Sequence, residues 1–204
     1  MEINFSSRLL QEAVNELSKL PGIGKRTAMR LALHLLKQDE NHVKRLSESL
    51  IQMRSEIQFC KKCHNISEKE ICNICASPKR KPEQICIVED IRDVIAIENT
   101  AQYRGLYHVL GGLISPMEGI SPTDLQIYSL VQRVQKENPE EIIFALAATV
   151  EGDTTNFYIY KKLKDYKLKL TTLSRGVSIG DEIEFADEVT LGRSIIHRQP
   201  YEGA

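Results

Sequence analysis

The sequence predicts an α/β fold preceded by two small modules, one all-helical and one clasped by cysteines, and three patterns predict it. Short, wholly apolar runs, Ile85-Cys86-Ile87-Val88 and Ile142-Ile143-Phe144-Ala145-Leu146, with the weaker Tyr107-His108-Val109-Leu110, alternate with helix-length patterns around Leu125 to Val134 and from about Thr154 to Leu163. Strands lacking polar alternation are buried on both faces, and strands that alternate with helices run parallel under helical cover. Ahead of them, apolar residues recur at spacings of three and four, and four cysteines crowd into the sixteen residues from Cys60 to Cys75.

Leu10, Val14, Leu17 and Leu20 mark a first amphipathic helix, and Val43, Leu46, Leu50, Met53 and Ile57 mark a third. Between them the segment Leu20 to Lys37 becomes helical after Gly24, with Ala28, Leu31, Ala32 and Leu35 on one face. Residues 1–58 therefore read as a three-helix unit, too small to bury much surface alone and expected to lean on the remainder of the chain. The cysteine module occupies residues 59–78. Ser77-Pro78-Lys79-Arg80-Lys81-Pro82 is polar and proline-bounded and reads as a linker, so the α/β domain is placed at residues 82–177 and a final segment at 178–204. There is no internal repeat or low-complexity tract.

A chain of 204 residues with 42% apolar and 27% charged residues has the composition of an ordinary globular protein, which excludes disorder. No apolar run approaches the roughly 18 residues of a membrane span, and Met1-Glu2-Ile3-Asn4 lacks the basic start of a secretion signal. The expected location is the cytosol. The net charge is −1, but residues 1 to 64 carry a balance of +4 and residues 65 to 204 one of −5. A polyanion would meet the N-terminal part first.

Cys60-x2-Cys63 and Cys72-x2-Cys75, separated by eight residues, give two knuckles suited to four thiolates around one zinc ion. With all four positions filled by protein, such a zinc is structural, and it substitutes for a core in a segment too short to own one. The alternatives are two disulfides or free thiols, disfavoured by spacing and by a reducing compartment. His64, beside Cys63, is a conceivable replacement ligand but reads better as a residue on the knuckle surface. Cys86, inside an apolar strand, reads as a small buried hydrophobe.

Leu20-Pro21-Gly22-Ile23-Gly24 joins two helices by a tight turn whose glycines permit positive φ and close backbone approach. The next helix opens on Lys25 and Arg26, and Arg30 stands one turn further on. Free N–H groups, a positive helix end and clustered cations make a phosphate site, which grips a nucleic-acid backbone without reading its bases. The plainer alternative is a helix turn with solvated cations. A nucleotide-binding loop is excluded, because GxxxxGK[ST] is nowhere in the chain.

Glu89 follows the first apolar strand, and Glu151 and Asp153 follow the strand at 142–146, which puts all three at carboxyl ends of parallel strands, where functional crevices form. Three converging carboxylates could hold magnesium for phosphoryl chemistry, as in a nuclease or topoisomerase-like strand breaker. They read equally well as capping and solvated acids.

LPGIGKRTAMRLALHLL, the four spaced cysteines, ICIVEDIRDVIAIENT, YRGLYHVLGGLISPMEGISP, TVEGDTT and SRGVSIGDEIEFADEVTLGR come one after another in the order seen in the RecR family of bacterial recombination mediators. The chain resembles that family from about residue 6 to residue 195, and YHVLGGLISP is close to diagnostic. The resemblance implies a helix-hairpin-helix, a four-cysteine zinc finger, a Toprim-type parallel-sheet domain and a C-terminal segment with a Walker-B-like acidic pair, here Asp187 and Glu188. It implies a non-enzymatic protein that forms a ring-like homotetramer around single- or double-stranded DNA in the cytoplasm, at the nucleoid during repair. It also implies work with RecO, and in other contexts RecF, to load RecA onto single strands coated by SSB. Carried over by position, the basic pair of the hairpin falls on Arg26 and Arg30, which together with Gly22, Gly24 and Lys25 of the turn read above make the expected DNA-binding set, and the resemblance makes Glu89, Glu151 and Asp153 partner-docking residues rather than catalytic ones.

The sequence departs from the family pattern at Lys25, where proline is common, at Ala147-Ala148, where Asn-Pro is usual, and at Asp181, where glycine is usual. The competing class is a magnesium-dependent Toprim nuclease, primase or topoisomerase-like enzyme. A topoisomerase needs a nucleophilic tyrosine on a separate mobile domain, for which this chain has no obvious room.

Overall fold

The computed structural model describes residues 7–174, 176, 177, 180, 182–198 and 200. The chain forms two compact units, Met1–Ile57 and Gln58–Ala204.

In the first unit, α1 (Arg8–Leu17) is capped by the Ser7 hydroxyl, which accepts from the Leu10 N–H at 3.4 Å. It packs on α2 (Lys25–Leu36) through Val14, Ala28 and Ala32, with Leu10, Leu17, Ile23 and Met29 around them. The two alanines of α2 carry so little side chain that α1 can approach closely, and both are buried there. The third helix, α3 (Glu40–Glu56), starts at Asp39, whose carboxylate accepts from the His42 N–H at 2.9 Å. The helix lies where the periodicity places it, but it contributes no buried residue, and Leu46, Leu50 and Met53 remain exposed. The packed core of the unit lies between α1 and α2, and α3 keeps Leu46, Leu50 and Met53 about half exposed.

The second unit opens with a hairpin, β1 (Gln58–Phe59) against β2 (Ile66–Ser67), and a short helix, α4 (Asn73–Ala76). Next come β3 (Lys81–Val88), α5 (Ile91–Asn99), β4 (Gly105–Val109), α6 (Ile127–Glu137), β5 (Glu141–Phe144), α7 (Val150–Leu163), β6 (Lys169–Thr172) and α8 (Glu188–Ile196). The four longer strands make one parallel sheet in the order β4-β3-β5-β6.

Alternation along β3 explains why the sheet is covered on both faces. Ile85 and Ile87 point into one core with Leu130 and Val134 of α6 and Ile159 and Leu163 of α7, while Cys86 and Val88 point into another with Val94 of α5. Cys86 is thus the buried hydrophobe its setting suggests, and burial, with a smaller contribution from Asp93, pushes its thiol up to about 12.

The structure corrects two expectations. Helix α7 begins at Val150, capped by the Thr149 hydroxyl at 3.1 Å from the Gly152 N–H, so Glu151 and Asp153 are first-turn helical residues rather than loop residues. The stretch that reads as a linker is also tied down. β3 starts within it at Lys81, and the Arg80 guanidinium donates to Glu98, one N–H at 2.8 Å, while the Tyr107 hydroxyl donates to the same carboxylate at 2.7 Å. Among the described residues no helix is long and apolar enough to cross a membrane.

Candidate nucleic-acid interface and metal centre

The hairpin between α1 and α2 turns at Gly22, whose φ of +78° lies in the left-handed region that favours glycine, and the Ile23 N–H closes the turn on the Leu20 carbonyl at 3.1 Å. Gly24 has an ordinary φ of −79° and supplies no side-chain cap to α2. A Cβ at Gly24 would meet nothing within 4 Å, so the chain itself does not require glycine there. What glycine does provide is a bare helix end, with its first-turn N–H groups open to an outside acceptor. Lys25, Arg26 and Arg30 are all exposed, and among the described residues none of them joins an ion pair. An open dipole end beside three cations outside the ion pairs of the described residues has the donors and charge that phosphate oxygens require.

The ligand sulfurs of Cys60, Cys63, Cys72 and Cys75 lie within 4.8 Å of one another. Cys63 and Cys72 are 3.6 Å apart at sulfur, close to the roughly 3.8 Å edge of a tetrahedron with Zn–S bonds of about 2.3 Å. Backbone N–H groups already face the sulfurs, Cys72 donating to Cys60 Sγ at 3.3 Å and Cys75 to Cys72 Sγ at 3.4 Å. The four cysteines fit one zinc ion per chain, and all are free of disulfides. Hydrogen bonds from Cys63 and Cys75 hold the Cys72 thiol well below its ordinary range, while the same crowding raises Cys63. His64, in the left-handed region at φ 61°, makes the knuckle's turn, and its Nε2 is hydrogen-bonded to the Ser129 hydroxyl at 2.8 Å instead of joining the sulfurs.

The cysteine module is fastened to the sheet by residues that spacing does not flag. The Val109 N–H of edge strand β4 donates to the Cys63 carbonyl at 2.8 Å, and Lys62 pairs with Glu137 of α6 at 3.1 Å. His108, wholly buried, stacks edge-on with His64 at 5.2 Å between ring centroids and donates from Nε2 to the Gln126 carbonyl at 2.8 Å. Its Nδ1 has no partner among the described residues, and burial lowers its pKa to about 3, so it stays neutral. The Arg133 guanidinium, also buried, donates to the Tyr107 carbonyl at 2.6 Å. A buried histidine inside an apolar run and an arginine within a helix look unremarkable in sequence, and only the topology joins them.

Of the three sheet acids, Glu89 is half-buried after β3, its pKa raised by burial and by Asp93 and Asp90 nearby. Glu151 and Asp153 are exposed on the first turn of α7, at the carboxyl end of the adjacent strand β5, and Asp153 approaches Arg193 of α8 at 3.9 Å. Among the described residues the cysteines are the only group of three or more potential metal ligands that the fold draws together. Asp187 caps α8, accepting from the Thr190 N–H at 2.9 Å, and hydrogen bonding to the Thr190 side chain, and then to its N–H, holds the Asp187 carboxyl below the usual range; Glu188 opens the helix. Asp181 lies outside the described residues.

Comparison with known proteins agrees with this arrangement. Residues 10–54 match the RecR helix-hairpin-helix family, 57–77 the RecR four-cysteine zinc finger domain, 83–174 the Toprim domain and 176–199 the RecR C-terminal family. The chain is 59% identical over 200 residues to recombination protein RecR of Flavobacterium johnsoniae, covering 98% of this chain and 97% of the relative. It is 60% identical over 197 residues to that of Amoebophilus asiaticus, covering 97% and 98%, and 58% identical over 203 residues to that of Bacteroides thetaiotaomicron, covering 100% and 99%.

Proposed function

The chain belongs to the RecR family of recombination proteins, and we propose that it acts there as a mediator without turnover of its own: an oligomeric clamp on DNA that works with RecO and RecF to load RecA onto SSB-coated single strands. The observation that carries this reading is the hairpin, with its uncapped α2 end, the open space at Gly24, and Lys25, Arg26 and Arg30 outside every ion pair of the described residues. Such contacts are indifferent to sequence, which suits a protein that must act wherever a strand is exposed.

One hairpin neutralises about three phosphates, too few for tight binding at moderate salt. Several hairpins presented together bind at high effective concentration, so the reading needs an assembly. The half-exposed apolar face of α3 and the exposed Val189, Ile195 and Ile196 of α8 are surfaces that a homotetramer would bury. In this reading the four cysteines hold a structural zinc, Glu89, Glu151 and Asp153 dock a partner, and Asp187 and Glu188 belong to a segment used in assembly. The protein works in the cytoplasm at the nucleoid. Zinc-loaded protein incubated with labelled single- and double-stranded DNA and magnesium tests the reading: intact DNA held in a stable complex supports it, and magnesium-dependent cleavage lost in Glu151→Ala favours the nuclease alternative.

A further inference from the structure

Helix α7 exposes a face that neither its packing nor the hairpin clamp uses. Phe157 and Tyr160 are 57% and 46% exposed, and Lys161 and Lys164 stand on the same side at helical spacing. The Lys161 ammonium sits 4.6 Å from the centre of the Phe157 ring, and Lys162 sits 5.5 Å from that of Tyr158. Lys167 and Lys169 continue the run beyond the helix, so residues 157–169 hold five lysines against one acid, Asp165. All five are exposed, and among the described residues only Lys169 joins an ion pair, with Glu141 at 3.7 Å. This concentration of positive charge lies in the part of the chain whose overall balance is acidic.

Lysines in the last turn of a helix complement its dipole, which accounts for Lys161, Lys162 and Lys164. It accounts neither for Lys167, past the helix end, nor for two aromatic rings left about half exposed on that face. Rings and ammonium groups interleaved on one face match a strand whose bases stack and whose phosphates pair, and a duplex, with its bases already stacked, has no use for the rings. Phe157 and Tyr160 are about 4.5 Å apart along the helix axis, within reach of neighbouring nucleotides of one strand.

We propose that this face of α7 is a second DNA contact, specific for single strands, in which unpaired bases stack on Phe157 and Tyr160 while Lys161, Lys164 and Lys167 hold the phosphates. It lies in a different unit from the glycine hairpin and stands independently of the role given to Arg26 and Arg30.

The test uses full-length, zinc-loaded protein and a thymidine oligonucleotide carrying 5-iododeoxyuridine, crosslinked by light and mapped by mass spectrometry, in the parent and in an Arg26→Glu/Arg30→Glu background. Crosslinks are expected on Phe157 or Tyr160 in both. Phe157→Ala/Tyr160→Ala should weaken binding of the oligonucleotide about tenfold and leave duplex binding unchanged. Lys161→Glu/Lys164→Glu should lower the salt slope of single-strand binding by about 1.4. Because these side chains are exposed, zinc content and thermal midpoint should match the parent in both variants. Crosslinks confined to other peptides, with both variants binding the oligonucleotide within about twofold of the parent, overturn the proposal. So does a change in sedimentation with unchanged oligonucleotide affinity, which would make the face a contact between protein chains.

Discussion

The backbone N–H of Val109 donates to the carbonyl of Cys63 at 2.8 Å, so the first cysteine knuckle pairs with the outer edge of β4. An edge strand that would otherwise offer free N–H groups is thereby covered. A metal that fixes the knuckle therefore also fixes one side of the sheet.

Reductively purified protein should accordingly contain one zinc per chain, and Cys72→Ser should lose it. Hydrogen exchange should then show the Val109 amide, and not only the knuckle, losing protection. A Cys72→Ser protein that retains zinc, or a metal-free protein with Val109 still protected, would contradict the coupling.

The two hairpin glycines should separate folding from binding. Gly22→Ala forces a side chain into positive φ and should cost about 1–2 kcal/mol of stability. Gly24→Ala meets nothing in the chain, and the lower N-cap preference of alanine is offset by its stiffer unfolded backbone, so denaturant unfolding should find it within about 1 kcal/mol of the parent while DNA affinity falls, because in the proposed clamp the methyl group stands where a phosphate backbone approaches. Equal DNA affinity in Gly24→Ala and the parent would show that nothing approaches that closely.

The fold is legible in the sequence where the local pattern and the buried face coincide. Ile85 to Val88, Ile142 to Phe144 and the packed face of α2 are such places. The cysteine spacing announces its cluster because four thiolates at one ion leave few sequence solutions. Long-range relations are not legible. Nothing near Val43 or Leu50 tells whether a third helix finds a partner within the chain, and α3 contributes no buried residue. β6 is silent because Lys169, Leu170, Thr171 and Thr172 form a short edge strand with little apolar signal. Glu151 and Asp153 look like loop residues because helical periodicity becomes visible only from about Thr154, well after the Thr149 cap.

Burial of His108 makes stability depend on pH. Its folded pKa is lowered to about 3, while the unfolded ring protonates near its ordinary value of 6.5. Stability from this site is full above about 6.5 and is lost as pH falls toward 3, because the unfolded state binds the proton first. Urea unfolding between pH 7.5 and 6, above the range in which protons displace zinc from thiolates, should show stability falling with pH, at no more than about 1.4 kcal/mol per unit per histidine. His108→Gln should flatten the slope. An unchanged slope would mean that another group titrates.

Partner docking through the sheet acids is tested at Glu151, which is exposed on the first turn of α7. Glu151→Ala should weaken RecO association at least severalfold with zinc content and unfolding unchanged. Unaltered RecO affinity would remove Glu151 from the docking surface.

Several hairpins acting together are the centre of the proposed clamp, and the DNA affinity of Arg26→Glu/Arg30→Glu at moderate salt, followed by fluorescence anisotropy on duplex DNA, tests them most directly. Both side chains are exposed and outside the ion pairs of the described residues, so charge reversal should leave zinc content and assembly as they are. Duplex binding by the double variant should be lost at every protein concentration, while the parent's affinity climbs steeply as concentration drives assembly. Normal duplex binding by the double variant, or a parent monomer that binds as tightly as the oligomer, would contradict the clamp.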